Sequence, residues 1–269
     1  MKNFLVTFLI IITLSSCSEF QKALKSEEVS VKFAKGTELY DAGKYNKANR
    51  LFAQIVPGYR GKPQAEKLMY MYSNTFYQAK DYYLAAYQFE RFESGYPQSE
   101  KAEEALFLSA KSYYMLSPRY SKDQTETVQA IEKLQLFINK YPESQYLAEA
   151  NTLVKELDYK LEKKAFEIAK QYNKIAYFDS SDYEAAIKSF DLFLVQYPGS
   201  VFREDAMFYR LDSAYKLAIN SIKDKKAARL NTAISFYNSF KKAYPNSQHI
   251  EAADKMNTEL SAQLTQFSS

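Results

Sequence analysis

The stretch DYEAAIKSFDLFLVQYPGS, Asp182–Ser200, decides the fold. Small Ala186 is followed by Phe190 and Phe193 at i+4 and i+7, a spacing that lines one face of an α-helix. Pro198 then drives Tyr197 out of the α region, so the helix must stop. Two residues on, Ser200 is a preferred N-cap for the helix that follows. The stretch spells a helix, a stop and a restart.

The phrase returns along the chain. YPQS (Tyr96–Ser99), YPES (Tyr141–Ser144) and YPNS (Tyr244–Ser247) repeat YPGS (Tyr197–Ser200). The stripe recurs as Ala48/Phe52/Ile55, Ala85/Phe89/Phe92, Ala130/Leu134/Phe137 and Ala233/Tyr237/Phe240. Each stripe follows a second pattern, an aromatic, then a slot, then a ring again: Phe33/Gly36/Tyr40, Tyr70/Ser73/Tyr77, Phe107/Ala110/Tyr114, Phe166/Ala169/Tyr172 and the looser Phe208/Leu211/Tyr215. The slot residue is small in the first four copies, as a tight antiparallel hairpin requires. Helix pairs repeated at this period resemble the tetratricopeptide repeat (TPR). The expectation is an all-α, right-handed α-solenoid of about five TPR repeats. Ile250, Ala253, Met256, Leu260 and Leu264 predict a C-terminal capping helix, and each Tyr of the turns is expected to wedge between consecutive repeats.

Two departures from even spacing carry information. Ser117–Glu126 (SPRYSKDQTE) reads as a polar loop inside repeat three, and residues 145–177, free of Gly and Pro, read as one long helix. The predicted organisation is residues 1–16 as a signal peptide, 17–30 as a flexible tether, 31–144 as repeats 1–3, and 145–269 as the long helix with repeats 4–5 and the cap.

Composition fits a folded helical protein: 46% hydrophobic, 25% charged, 24 Tyr and 19 Phe, few Gly or Pro. A net charge of +4 without a basic run argues against nucleic acid. The apolar run Phe4–Leu14 is too short to span a bilayer and matches a signal-peptide core. Leu14-Ser15-Ser16-Cys17 resembles the bacterial lipobox, with Cys17, the one cysteine, as the lipidated N-terminus carrying N-acyl and S-diacylglycerol groups. The plainer alternative is an ordinary signal peptide with an incidental thiol. Ser18, rather than Asp, favours the outer membrane over the inner.

Asp182-Tyr183-x-x-Ala186 before Tyr197-Pro198-Gly199-Ser200, its echo Asp81-Tyr82-x-x-Ala85, and Ser117-Pro118-x₄-Asp123-Gln124-x-x-Thr127 together resemble the BamD family. These are the TPR lipoproteins of the outer-membrane β-barrel assembly (BAM) machinery. The resemblance spans nearly the whole mature chain and implies a non-catalytic scaffold on the periplasmic face of the outer membrane. It would bind the POTRA region of BamA and other BAM subunits through its C-terminal repeats, and unfolded β-barrel proteins through its N-terminal groove. The first turn, Val56-Pro57-Gly58-Tyr59-Arg60, departs from the pattern. Another periplasmic TPR adaptor is the alternative; a glycan-binding SusD-like lipoprotein fits less well, since Trp is absent.

Projected on TPR geometry, the groove face includes Phe33, Tyr40, Tyr70, Asn74, Tyr77, Phe107 and Tyr114. Tyr pairs an apolar ring with a hydroxyl able to bond a peptide backbone, so the ladder Tyr40/Tyr77/Tyr114 suits varied extended clients. Ring packing between repeats is the plainer reading for any one of them. Arg203 and Arg210, seven apart on one helical face, are the candidate BamA-docking pair. No metal-ligand spacing, phosphate loop or nucleophile elbow is present in the sequence. His249, the only His, reads as a surface residue. No catalytic residue, metal, cofactor or small-molecule substrate is expected.

Overall fold

The computed structural model describes residues 19–59, 61–176 and 181–268. The signal peptide and Cys17 lie outside the described residues. Within them the regular structure is helical: α1 (19–25), α2 (Val29–Asp41), α3 (Tyr45–Ile55), α4 (Ala65–Gln78), α5 (Tyr82–Gly95), α6 (Ala102–Leu116), α7 (Thr125–Lys140), α8 (Leu147–Ile175), α9 (Ser181–Gln196), α10 (Arg203–Ile219), α11 (Lys223–Ala243) and α12 (Ile250–Ser268), with a 3-10 turn at Val56–Gly58. None of these helices is long and apolar enough to cross a membrane.

The chain divides into two compact units, Met1–Pro118 with Asp123–Leu157, and Arg119–Lys122 with Asp158–Ser269. The division falls inside α8 rather than at 144/145. That 29-residue helix gives Ala150, Leu153 and Leu157 to the core around Phe107 and Phe137, and Phe166 and Ala169 to the core around Phe190.

In the first unit, α2/α3, α4/α5 and α6/α7 pack as hairpins. The stripes face inward: Ala48, Phe52, Ala85, Phe89, Phe92, Ala130, Leu134 and Phe137 are fully buried. Withdrawing one such Phe from water is worth about 1.5–3 kcal/mol. The slots let the helices close, and at Gly36 the fit is tight enough that a Cβ would stand 2.5 Å from Phe52 Cε1. The two short hairpin turns, α2/α3 and α4/α5, each use a left-handed residue after the first helix, Gly43 (φ +69°) and Lys80 (φ 62°). The S…DQ…T motif is an internal lock across the long loop of repeat three. Ser117 Oγ lies 2.6 Å from Thr127 Oγ1, which donates to Gln124 Oε1 at 2.8 Å; Thr127 is fully buried.

In the second unit, α9 pairs with the last turns of α8 through Phe166, Phe190 and Phe193. The hairpin α10/α11 follows, and α12 closes it with Ala253 and Leu260 fully buried. The cap is where the apolar period put it. His249 is not a free surface residue: its ring stacks on Phe208 at 4.1 Å, and Nε2 lies 2.8 Å from Asp205 Oδ1.

The four Tyr-Pro-x-Ser joints share one construction. Tyr96, Tyr141 and Tyr244 end their helices at φ −128° to −136° and ψ 60–68°, outside the α region as the following Pro demands. Each Tyr carbonyl accepts the N–H of the Ser three residues on. Each Ser Oγ accepts the N–H two residues further, at 3.0–3.1 Å. The helices themselves start three residues after the Ser, so it caps the lead-in turn rather than the helix proper. The same hydroxyl donates to a carboxylate on the first helix of the preceding repeat: Ser99 to Glu66, Ser144 to Glu103, Ser200 to Glu162 and Ser247 to Glu204, at 2.5–2.6 Å. The half-buried Tyr rings lie 5.3–6.1 Å from the Phe four residues earlier in their own helices. Those ring pairs are tilted and lie within one repeat, while the clusters that Tyr96, Tyr141 and Tyr197 pack against also take in residues of the next repeat, such as Ala105, Ala150 and Ala206.

The flexible tether is a correction. Residues 19–25 form a helix whose Phe20 (2% exposed) and Ala23 (4%) join the first core. Lys47 and Arg50 of α3 lie 5.5 and 5.4 Å over the Phe20 ring, and Glu19 pairs with Lys35 of α2 at 2.9 Å. Phe20, Ala23 and Leu24 keep an i, i+3, i+4 spacing, but a single turn of it in a polar segment is too short to register as a period.

Candidate functional site

The first helices of successive repeats, α2, α4 and α6, are neighbours in the first unit. The Tyr ladder stands on them because Tyr40, Tyr77 and Tyr114 occupy the same slot at equal steps. All three are half-buried. Tyr40 Oη accepts from Asn74 Nδ2 on the next first helix. Tyr114 Oη donates to Glu156 of α8 at 2.5 Å. The Tyr77 ring packs edge-on against Tyr82 at 5.7 Å and near Phe89 at 6.5 Å. Beside it Lys111 pairs with Glu149 at 2.6 Å.

The ladder therefore does two things. The Tyr40 and Tyr114 hydroxyls stitch neighbouring repeats, the Tyr77 ring packs within its own hairpin, and all three side chains stay partly exposed. The second unit shows the same stitching from the same register: buried Asn173 donates to Asp212 and Ser213, both at 2.8 Å, and Tyr215 to Glu259 at 2.6 Å.

Tyr70 sits deeper, edge-on to Phe89 and Phe92, with the Lys101 ammonium 5.4 Å above its ring. Burial, and then a hydrogen bond to Glu104, push its hydroxyl far above the ordinary range. Burial raises Tyr40 and Tyr77 as well. Tyr114 is pushed up to about 12, first by its bond to Glu156 and then by burial. These hydroxyls stay protonated donors at neutral pH. Between Tyr40 and Tyr70 lies an open cleft of ≈ 510 Å³, lined also by Lys67, Met71, Phe92 and Lys101. Rings, hydroxyls and alternating charges at its wall suit a chain segment with both apolar side chains and exposed backbone polar groups.

One of the expected groove residues belongs elsewhere. Phe107 is 2% exposed, stacked on Tyr146 at 4.6 Å and packed on Phe137, so it is core rather than wall. Phe33, on the same helix as Tyr40, is half-buried and stacks on Tyr59 of the first turn at 5.8 Å. The docking pair is likewise turned inward, onto α9. Arg203 Nη1 donates to the Leu194 carbonyl at 2.9 Å, and Arg210 Nη1 to Asp191 at 2.8 Å, with its guanidinium 4.1 Å over Phe236. The Arg210 side chain is 14% exposed, so it braces the hairpin.

Sequence reasoning missed an apolar edge near the same joint, where Leu192, Val195 and Val201 are 62%, 79% and 76% exposed. Its signal was present: an apolar residue on either side of the inward stripe of α9. Among the described residues no group of three or more His, Cys, Asp or Glu could hold a metal ion.

No curated protein matches the chain. Among solved structures, the TPR2AB-domain:pHSP90-complex of yeast Sti1 is similar at 13% identity and a TM-score of 0.40, over 87% of this chain and 98% of that one. A family model, YfiO, described as outer membrane lipoprotein, matches residues 25–178 and 174–267. Those two matches take in the hairpins, the joints and both units, and the chain belongs to the YfiO family of outer membrane lipoproteins, the BamD family.

Proposed function

We propose that the chain is a lipid-anchored, non-catalytic scaffold of the β-barrel assembly machinery. Cys17 carries the acyl groups on the periplasmic face of the outer membrane. The second unit docks the POTRA region of BamA, and the first unit receives extended segments of unfolded β-barrel proteins along Tyr40, Tyr70, Asn74, Tyr77 and Tyr114. Family membership along nearly the whole chain carries this reading. The half-exposed ladder beside an open cleft supports the client role. With Arg203 and Arg210 engaged on α9, Leu192, Val195 and Val201, each more than 60% exposed around the one joint, are the better docking surface, since exposed apolar side chains gathered in one place mark interaction sites.

A photocrosslinker at Tyr77, with Lys242 on α11 as control, tests the client face. Adducts with unfolded barrel proteins from Tyr77 and not from Lys242 are expected; equal yields overturn it. Purification of tagged chain from solubilised outer membrane tests the scaffold, and recovery of cell-wall enzymes in place of BamA would make it a different periplasmic adaptor.

A further inference from the structure

The docking of α1 fixes how far the first repeat can stand from the anchor. Phe20 is 2% exposed in the first core, beneath Lys47 and Arg50, and Glu19 is paired with Lys35. Phe20 follows Cys17 by three positions, with only Ser18 and Glu19 between them. At about 3.3–3.6 Å per residue, no path of the chain puts their Cα atoms more than about 11 Å apart. The headgroup layer of a bilayer is itself about 5–8 Å deep on each side.

A Cys17 acylated into the hydrocarbon therefore leaves no room for a spacer between lipid and repeat. The side chains around the docked helix suit that neighbour: Lys22, Lys25, Lys44 and Arg50 are exposed, and Lys47 is half-exposed. Of the acidic groups nearby, Glu19 and Glu38 share Lys35 at 2.9 and 2.7 Å, while Glu27, Glu28 and Asp41 are exposed.

We propose that α1, with Lys44, Lys47 and Arg50 of the adjoining hairpin, is a membrane-contact surface that seats repeat one on anionic lipid headgroups. The assignment rests on acylation of Cys17, which intact mass establishes separately. Since Cys17 is the sole cysteine and acylation consumes its thiol, a Lys25→Cys chain takes one label, and Lys242→Cys serves as control. The acylated chains are reconstituted in vesicles containing phosphatidylglycerol and a headgroup-attached nitroxide quencher.

Several-fold stronger quenching at 25 than at 242 is expected. It should fall to the control level in Phe20→Ala, and when a Gly-Ser segment of roughly ten residues, reaching about 17 Å on average, is inserted between Ser18 and Glu19. Circular dichroism of both variants confirms that the remaining helices are intact. Acylated chain with no excess quenching at 25 overturns the proposal and leaves α1 to a protein partner, as does excess that survives both changes. Absence of the acyl mass removes the anchor and the proposal with it.

Discussion

Replacing Gly36 with alanine tests whether the slots set the distance between paired helices. The new Cβ would meet Phe52 Cε1 at 2.5 Å, Cδ1 at 2.9 Å and Cζ at 3.3 Å. Carbon atoms rest about 3.5–4.0 Å apart, so the nearest overlap is about 1 Å. The Phe52 ring is 0% exposed and has no open space to swing into. Two effects oppose each other. Alanine is favoured over glycine inside a helix by about 0.8–1.0 kcal/mol, and overpacking costs about 1–3 kcal/mol. Contact with three ring atoms puts the cost in the upper half of that range, leaving a net loss of about 1–2 kcal/mol. Two units need not unfold together, so the measurement is local: amide hydrogen exchange of α2 and α3 peptides. Exchange there should quicken about 5–30-fold, with the second unit unchanged. Phe52→Leu in the Gly36→Ala background should recover part of the loss, because the overlapping atoms are gone. Exchange as slow as in the parent chain, or a penalty that Phe52→Leu leaves intact, refutes the packing argument.

Ser144→Ala removes both a turn cap and the hydrogen bond to Glu103, and should lower stability by about 1–2 kcal/mol in thermal melts; Glu103→Gln, which can still accept, should cost less. Arg210→Ala should destabilise the second unit by about 1–2 kcal/mol through lost stacking on Phe236 and lost packing, whatever its effect on partners. An unchanged melt of that unit contradicts its role as a brace. The bond to Glu156 and burial push the Tyr114 hydroxyl up to about 12 from the ordinary 10.0, so the stability from that bond is fully present below pH 10.0 and is lost as pH rises toward 12. A tyrosinate absorbance titration should lose a late component in Tyr114→Phe, and an unchanged profile would count against the Glu156 bond.

The helices were legible because the stripe and the joint are local signals. Ala186, Phe190 and Phe193 lie within two turns, and Pro198 acts on its neighbour. The long α8 was legible for the same reason, since residues 145–177 contain nothing that breaks a helix. What escaped depends on partners far along the chain. Glu103 and Glu204 look like ordinary helix charge until Ser144 and Ser247 meet them from 41 and 43 residues away. Arg210 looks solvated until Asp191 and Phe236 enclose it. Phe107 and Tyr114 fall on neighbouring parts of one helix, and the choice between core and wall turns on Tyr146, which stacks on Phe107 from the turn that leads into α8. Phe20 was hidden by its polar company.

The joint has an evolutionary consequence. Because its serine accepts one hydrogen bond from the chain ahead and donates one to the hairpin behind, each junction carries its own complete set of partners and borrows none from the next. Hairpins built this way behave as interchangeable parts: one could be duplicated, lost or grafted at a Tyr-Pro-x-Ser boundary while the remaining junctions kept their chemistry. The irregularities already present obey that rule. The loop between α6 and α7 and the extra turns of α8 both fall inside repeats, leaving all four junctions alike, so this lineage could vary the surfaces that meet partners without renegotiating how the array holds together.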